Sequence, residues 1–164
     1  MKGKVTPSLG KSRFLRQIAQ YYAFIPSAVL IRTAPVEILR TIPLELPLLD
    51  LCCGDGFICS LICQDGAETG CDLSLDTLEQ AQKRGQYHNI ACADVTKGIP
   101  FRDSSFRSVV SNSSLEHLPD ISTTLREIAR VLKPGGKLYA TFGSNFAYEW
   151  WCFGRNARNR YIGF

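Results

Sequence analysis

The segment Leu48–Gly56, which reads LLDLCCGDG, limits the possible folds of this chain more than any other stretch. Its leucines form a short apolar run typical of a buried strand, and a glycine-containing turn follows. The next segment, Phe57–Cys63, is apolar and predicts a helix. A strand, a glycine turn and a helix place backbone N–H groups beside a ligand, although many glycine turns are only turns. Gly54 and Gly56 would let the backbone approach that ligand without a Cβ clash.

The middle of the chain repeats this alternation of strand and helix. Short apolar runs predict five strands, at Leu48–Leu51, Ala67–Leu73, Asn89–Ala93, Phe106–Asn112 and Lys137–Phe142. Ser74 and Asp120 are suitable N-caps for helices after the second and fourth strands. Short connections between alternating strands and helices indicate an α/β fold with a doubly wound, mainly parallel sheet.

Polar and glycine residues gather where the predicted strands end. They are Asp50, Gly54, Gly56, Asp72, Asp94 and Asn112. Doubly wound sheets bind ligands beyond the carboxyl ends of their strands, so these residues are candidates for one site. The Asp72 carboxylate could accept hydrogen bonds from two ribose hydroxyls, and Asp94 could accept one from the exocyclic amine of a base. Asp72 could equally be an N-cap or a surface acid, and Asp94 a loop acid.

Two helices are predicted before the first strand. Apolar and aromatic residues recur at helical spacing over Ser12–Ile25, and Pro26 would end that helix. A second, short helix is predicted over Pro35–Thr41, with Pro35 in its first turn. These helices would either cover a site or simply pack on the sheet. We therefore predict an N-terminal helical cap over residues 1–46.

Charge is unevenly distributed along the chain. Residues 1–36 carry six Lys or Arg and no acid, residues 37–142 carry ten basic and fourteen acidic residues, and residues 143–164 carry three Arg and one Glu. Basic ends can bind an acidic partner, a membrane surface or nucleic acid, or they can simply be solvated helix faces. No recognised nucleic-acid motif accompanies them, so nucleic acid is not the expected partner. Peripheral membrane contact through the basic N-terminal helix stays open, and no apolar run is long enough to span a membrane.

The chain has seven cysteines, and none of them forms a C-x-x-C pair. Six lie in apolar segments, at Cys52, Cys53, Cys59, Cys63, Cys71 and Cys92. We predict buried, reduced thiols in a cytoplasmic protein and no metal site.

Four pieces of sequence, taken together and in order, resemble the class I S-adenosylmethionine-dependent methyltransferases of the small-molecule type 11 group. They are LLDLCCGDG, the GCDLS around Asp72, ADVTKGIPF, and SNSSLEHLPD followed by LREIARVLKPGG. The resemblance covers Leu48–Phe142 and implies a Rossmann-like core over residues 47–142. It also implies that the chain binds S-adenosylmethionine and transfers a methyl group to a small-molecule acceptor by in-line displacement.

The resemblance implies a role for each matching residue. Asp50 and the backbone from Leu51 to Gly56, with Cys52 and Gly54, would line the methionine part of the cofactor. Asp72 would bind the ribose hydroxyls, with Leu73 against the adenine. The Asp94 side chain and the Val95 N–H would read the adenine edge. The main chain near Asn112 would face the methionine amino group.

The chain departs from the family pattern in two places. Cys52 replaces the first glycine of the usual G-x-G-x-G turn, so we expect its backbone to avoid positive φ. The family's sheet usually has two more strands after the fifth, and only 22 residues follow Phe142. We therefore expect residues 143–164 to begin an acceptor-side segment that is cut short, which leaves the activity of this chain open.

The sequence offers one candidate for a catalytic base. His117 follows the fourth strand and could deprotonate an acceptor, or it could only pack or cap a turn. Some related O-methyltransferases have an E-x-x-E-H metal site here; this chain lacks the first Glu, so no metal site is expected at Glu116 and His117. We further predict that Ser12–Ile25 and Phe146–Arg160, which combine aromatic residues with Arg, form the acceptor side of the site; the alternative is that they pack on the sheet.

Two other functions stay open from the sequence alone. A nicotinamide-dependent dehydrogenase shares the glycine turn and the acid that ends the second strand, but its third glycine would fall at Cys59. A non-catalytic cofactor-binding or scaffold protein would fit the absence of the last two strands. The acceptor and the oligomeric state are not determined by the sequence.

Overall fold

Strands and helices alternate after two N-terminal helices in the computed structural model, which describes residues 14–63 and 66–143. The helices are α1 (Leu15–Tyr21), α2 (Pro26–Leu39), α3 (Phe57–Ile62), α4 (Leu75–Arg84) and α5 (Ile121–Val131), with a 3-10 turn at Leu115–His117. The strands are β1 (Leu48–Leu51), β2 (Ala67–Asp72), β3 (Tyr87–Cys92), β4 (Phe106–Asn112) and β5 (Leu132–Thr141).

The five strands form one parallel sheet in the order β3-β2-β1-β4-β5. The chain builds outward from β1 to β3 on one side and then crosses to β4 and β5 on the other. The order therefore reverses at β1 and β4, where doubly wound sheets bind their ligands. The predicted α/β fold with a Rossmann-like sheet is confirmed.

Side chains on the two faces of the sheet belong to separate hydrophobic cores. Leu48 and Val110 pack with α1, α2 and α3, whereas Leu49 and Val109 pack with α5. Every residue of β1 is buried, because helices cover both faces. Each buried leucine contributes about 1.5–3 kcal/mol, so this central strand and its turn are held firmly.

Helix α2 differs from the prediction. It starts at Pro26, which we expected only to end the preceding helix, and it continues through Pro35, which we placed in a first turn. A proline at the start of a helix loses no hydrogen bond, but one in the interior does. The helix persists because Val36 and Leu39 are buried in the first core, and that burial opposes the local cost.

The predicted helix caps are confirmed. The Ser74 hydroxyl accepts a hydrogen bond from the Thr77 N–H, and the Asp120 carboxylate accepts one from the Ser122 N–H at 2.9 Å.

Strand β5 begins at Leu132, directly after α5, and so earlier than predicted. None of the described helices has the length and apolar character needed to cross a membrane.

Candidate functional site

A cleft of about 360 Å³ opens at the carboxyl ends of β1, β2 and β4. Pockets of this size hold small molecules. The cleft is lined by three carboxylates, one guanidinium, aromatic rings and the turn after β1. Of the predicted site residues, it contains Asp50, Cys52, Gly54, Asp72 and Asn112.

The turn after β1 has three residues in the left-handed region. Their φ angles are +59° at Cys52, +54° at Gly54 and +76° at Gly56. Our expectation that Cys52 would avoid positive φ is therefore wrong. A side chain in this region costs about 1–3 kcal/mol, and surrounding structure must hold it there. The next residue, Cys53, donates its N–H to the Cys71 carbonyl at 3.0 Å and accepts from the Gly56 N–H at 3.1 Å, which ties the turn to β2.

Asp72 connects the end of β2 to this turn. One carboxylate oxygen accepts from the Gly54 N–H at 2.8 Å, and the other accepts from the Ser74 N–H at 3.0 Å. The Thr77 hydroxyl donates a longer bond, at 3.5 Å, to the same oxygen as Ser74. A carboxylate has about four acceptor positions, so room remains chiefly on the oxygen that faces Gly54. Asp72 therefore fits a ligand that presents a hydroxyl group, as a ribose does.

Asp50 lies under the turn and is 6% exposed. Tyr87, which the sequence motifs did not single out, donates its hydroxyl to Asp50 at 2.7 Å. Burial raises the pKa of Asp50 to about 7; the Tyr87 hydrogen bond opposes the shift, and the nearby charge of Asp72 adds to it. The charge of the cleft floor therefore changes near neutral pH.

Helix α1 contacts the turn after β1 at Asp55. The Tyr21 hydroxyl donates to the Asp55 carboxylate at 2.9 Å, and Arg84 pairs with the same oxygen at 2.6 Å. The Tyr21 ring stacks on Phe57 with centroids 3.9 Å apart. Tyr21 and Tyr22 both line the cleft. The acceptor-side role of this helix stays a prediction, and Phe146–Arg160 lies outside the described residues.

The end of β4 forms the other wall of the cleft. The Asn112 side chain accepts from the Thr141 hydroxyl at 2.7 Å, and its backbone carbonyl accepts from Arg32 at 3.2 Å. Its side-chain nitrogen is buried and has no hydrogen-bond partner among the described residues. An unpaired buried donor costs about 1–3 kcal/mol. The end of β4 is therefore less completely paired than the end of β2.

Three predicted adenine contacts lie on the β2–β3 side, outside the cleft lining. Leu73 is 68% exposed beside Asp72. Asp94 accepts from the Thr96 N–H and hydroxyl and pairs with Lys97 at 3.0 Å, and the Thr96 bonds lower its pKa. Val95 is buried. Their roles stay predictions, as does a ligand contact for Gly56, which is buried behind the turn.

His117 and Glu116 lie together in the 3-10 turn after β4. The His117 side chain is exposed and is absent from the cleft lining, so its role as a base stays a prediction. One oxygen of Glu116 accepts from the Gly143 N–H at 2.8 Å. Its other oxygen is buried and has no hydrogen-bond partner in the described part of the chain. In the sequence, Glu116 stood out only as part of an incomplete metal motif.

Known proteins match the region that builds this cleft. The family described as "Methyltransferase domain" matches residues 49–140. A ubiquinone/menaquinone biosynthesis C-methyltransferase of Desulfotalea psychrophila is 39% identical over 95 residues, which cover 55% of this chain and 38% of that protein. A demethylmenaquinone methyltransferase of Listeria welshimeri is 32% identical over 123 residues, which cover 70% of this chain and 52% of that protein.

Solved structures share the same fold. An S-adenosylmethionine-dependent methyltransferase from Mesorhizobium loti aligns with a TM-score of 0.57 and 25% identity, over 68% of this chain and 52% of that one. The chain spans only 38–52% of the length of the curated relatives named in the preceding paragraph. The family match nevertheless runs from β1 to β5 and includes the turn, Asp72 and Asn112. This chain belongs to the methyltransferase domain family, as its resemblance to the class I S-adenosylmethionine-dependent methyltransferases led us to expect.

Proposed function

We propose that this chain binds S-adenosylmethionine in the cleft above the glycine turn and takes part in methyl transfer to a small-molecule acceptor. The observation that carries the proposal is the position of Asp72. Its carboxylate reaches from the end of β2 to the turn after β1, is held by the Gly54 and Ser74 N–H groups, and keeps acceptor capacity for a ribose hydroxyl.

Different residues would bind different parts of the cofactor. Asp72 would bind the ribose, and the backbone of Cys52 and Gly54 would lie along the methionine chain. We keep Leu73, Asp94 and Val95 as the adenine contacts that the family resemblance implies. Asn112 would meet the amino-acid end.

Bound S-adenosylmethionine supplies a methyl group on a positively charged sulfur, so the protein's task is mainly to align the reactants and exclude water. Tyr21 and Tyr22 line the cleft beside the turn, and their rings would limit water there. Aromatic rings also attract a passing sulfonium charge. The stacking of Tyr21 on Phe57 holds this aromatic wall in place.

The names of the curated relatives make demethylmenaquinone the first acceptor to test. The alignments cover about half of those proteins, so the acceptor of this chain is part of the proposal. The family match does not favour a dehydrogenase or a non-catalytic scaffold. A cytoplasmic location also stays a prediction.

Titration calorimetry with S-adenosylhomocysteine tests the cofactor site. Gly54→Val should abolish binding, because the side chain would enter the cleft where the ligand lies. Gly85→Val is a matched control, because both glycines have positive φ and open space where a Cβ atom would lie, but Gly85 ends α4 away from the cleft. Both variants should lose similar stability, and only Gly54→Val should lose binding. Failure of the wild-type chain to bind, or equal binding by Gly54→Val, would overturn the proposal.

A further inference from the structure

The turn between α1 and α2 carries the most exposed large apolar side chain of the described residues. Phe24 is 99% exposed, whereas Tyr22 of the same turn packs against the first core. Tyr21, the last residue of α1, is 45% exposed, and Ala23 is exposed as well. Single exposed apolar residues are common, but a projecting aromatic ring beside two further exposed residues forms a small apolar patch.

Main-chain hydrogen bonds fix the shape of this turn. The Ile25 N–H donates to the Tyr22 carbonyl at 2.8 Å, and the Ala28 N–H donates to the Ile25 carbonyl at 3.0 Å. Ala28 is buried, and the Tyr22 ring contacts the first core. The turn is therefore anchored on both sides of Phe24, and the phenylalanine ring projects from it into solvent.

The chain that leads into this turn is basic. Residues 1–36 carry six Lys or Arg and no acid, and five of the six precede residue 17. Arg16 is exposed on α1, and Asp55, which accepts from Tyr21 of this helix, is paired with Arg84. Helix α1 has seven residues and is about 10 Å long, so the basic segment joins the molecule within about one Debye length of the turn.

We propose that the α1–α2 turn docks on a bilayer that contains anionic lipids, with Phe24 entering the headgroup boundary and the preceding basic residues attracted to the lipid phosphates. Interfacial sites combine these two features, because burial of an aromatic ring and attraction of Lys and Arg to anionic lipids both favour binding. A specific protein interface covers about 800 Å² on each partner, far more than one ring and its two neighbours supply. The small patch and the uniform charge therefore favour a lipid surface.

Docking at this turn would bring the mouth of the cleft close to the lipid surface. Tyr21 and Tyr22 line the cleft, and Phe24 follows them directly in the turn. The helix before the first strand would then both wall the cleft and orient its mouth toward the bilayer. The inference stands apart from the proposed function, because it requires no ligand in the cleft.

Sedimentation with sucrose-loaded vesicles tests the docking. The full chain should sediment with phosphatidylcholine vesicles that contain about 30% phosphatidylglycerol and should stay in solution with phosphatidylcholine alone. Added salt should release it, because salt screens the charges. Phe24→Gln should lower the partition coefficient about 5–10-fold, since the ring leaves water on docking. Arg16→Gln should lower it about fivefold.

Leu125→Gln is the matched control, because Leu125 is 40% exposed on α5, which packs on the opposite face of the sheet. This variant should sediment as the wild type does. Phe24 is almost fully exposed, so thermal unfolding of Phe24→Gln should match that of the wild type, which excludes misfolding as the cause of weaker binding.

Two results would overturn the proposal: a wild-type chain that does not sediment with the anionic vesicles, and equal sedimentation of wild type and Phe24→Gln. The second result would show that another basic part of the chain carries the binding. Binding of soluble poly-glutamate without binding of vesicles would likewise overturn it, and would assign the basic segment to an acidic protein partner.

Discussion

The region around the end of β2 and the region around the end of β4 pair their polar groups very differently. At β2, Asp72 accepts from two main-chain N–H groups, and Asp55 accepts from Tyr21 and Arg84. At β4, three buried polar atoms have no hydrogen-bond partner among the described residues: the Ser111 hydroxyl, the Asn112 side-chain nitrogen and one oxygen of Glu116.

This difference shows that hydrogen bonding is complete on one side of the cleft and incomplete inside the other. Each unpaired buried group costs about 1–3 kcal/mol, so three in one region are a sizeable part of the stability of a domain. The β2 region is organised before any ligand arrives. The β4 region, by contrast, keeps three buried polar atoms without a partner among the described residues, and only Asn112 of these residues lines the cleft.

The largest expected effect tests Asp50, which lies on β1 between the two regions. An unfolded aspartate has a pKa near 3.8 and the folded one has a pKa of about 7, so the folded state holds an extra proton between these values. The contribution of Asp50 to the free energy of unfolding is therefore greatest at low pH and is lost as pH rises from about 4 to about 7. The loss is about 1.4 kcal/mol per pH unit and about 4 kcal/mol in total. Asp50→Asn should remove that slope, while the oxygen of the new amide still accepts from Tyr87.

Urea unfolding of wild type and Asp50→Asn between pH 4.5 and 8 measures this difference. The two curves should diverge as pH rises, with the variant the more stable above pH 7. If the unfolding free energies of the two proteins instead change in parallel with pH, Asp50 is ionised over the whole range. Its charge would then be stabilised by hydrogen bonds as completely as the charges of the β2 region.

The next effect tests the organised β2 region. Asp72→Asn removes the charge of the carboxylate that accepts from the Gly54 and Ser74 N–H groups. It also replaces one of the two acceptor oxygens by an NH₂ group, which cannot accept. Hydrogen bonds to a charged group contribute about 1.5–3 kcal/mol each, so affinity for S-adenosylhomocysteine should fall by about 100-fold and stability by about 2 kcal/mol. Asp76→Asn, in the first turn of α4, removes the same charge nearby without entering the cleft. Calorimetry and urea unfolding measure both quantities, and wild-type affinity in Asp72→Asn would rule out its role at the ribose.

The smallest effect tests the unpaired groups of the β4 region. Ser108 and Ser111 lie on the same strand, and both are essentially fully buried. The Ser108 hydroxyl accepts from the Glu45 N–H at 2.9 Å, whereas the Ser111 hydroxyl has no partner among the described residues. Ser108→Ala should therefore lower the unfolding free energy by about 1 kcal/mol, and Ser111→Ala should leave it unchanged or raise it. Equal destabilisation in urea unfolding would mean that the contrast between the two regions does not exist at this strand.

Local signals account for the parts of the fold that the sequence predicted well. The strand at Phe106–Asn112 was predicted with the observed bounds, and the caps at Ser74 and Asp120 were both correct. These features depend on residues within a few positions of one another, through burial of short apolar runs and side-chain bonds to nearby N–H groups. The candidate residues Asp50, Gly54, Asp72 and Asn112 were singled out for the same reason, because each lies at or near the carboxyl end of a strand, and all four line the cleft.

The incorrect expectations arose where packing outweighed a local preference. Pro35 and Cys52 each occupy a backbone position that their own side chain disfavours. In α2 the burial of Val36 and Leu39 stabilises the helix, and at Cys52 the hydrogen bonds of the following residue hold the turn. Such conflicts cannot be resolved from neighbouring residues alone, because the groups against which Val36, Leu39 and Cys53 pack or bond lie elsewhere in the chain.

By itself, the sequence determined the parallel sheet, the glycine turn and the family, since these depend on short motifs in a fixed order. Only the tertiary structure decided which side chains complete the cleft. Tyr87 reaches Asp50 across 37 positions, and Arg32 reaches Asn112 across 80. No periodicity or spacing links residues so far apart, because their contact depends on how the helices pack against the sheet. The partners that tune the charge of the cleft and hold its β4 wall therefore emerge only when the chain is folded.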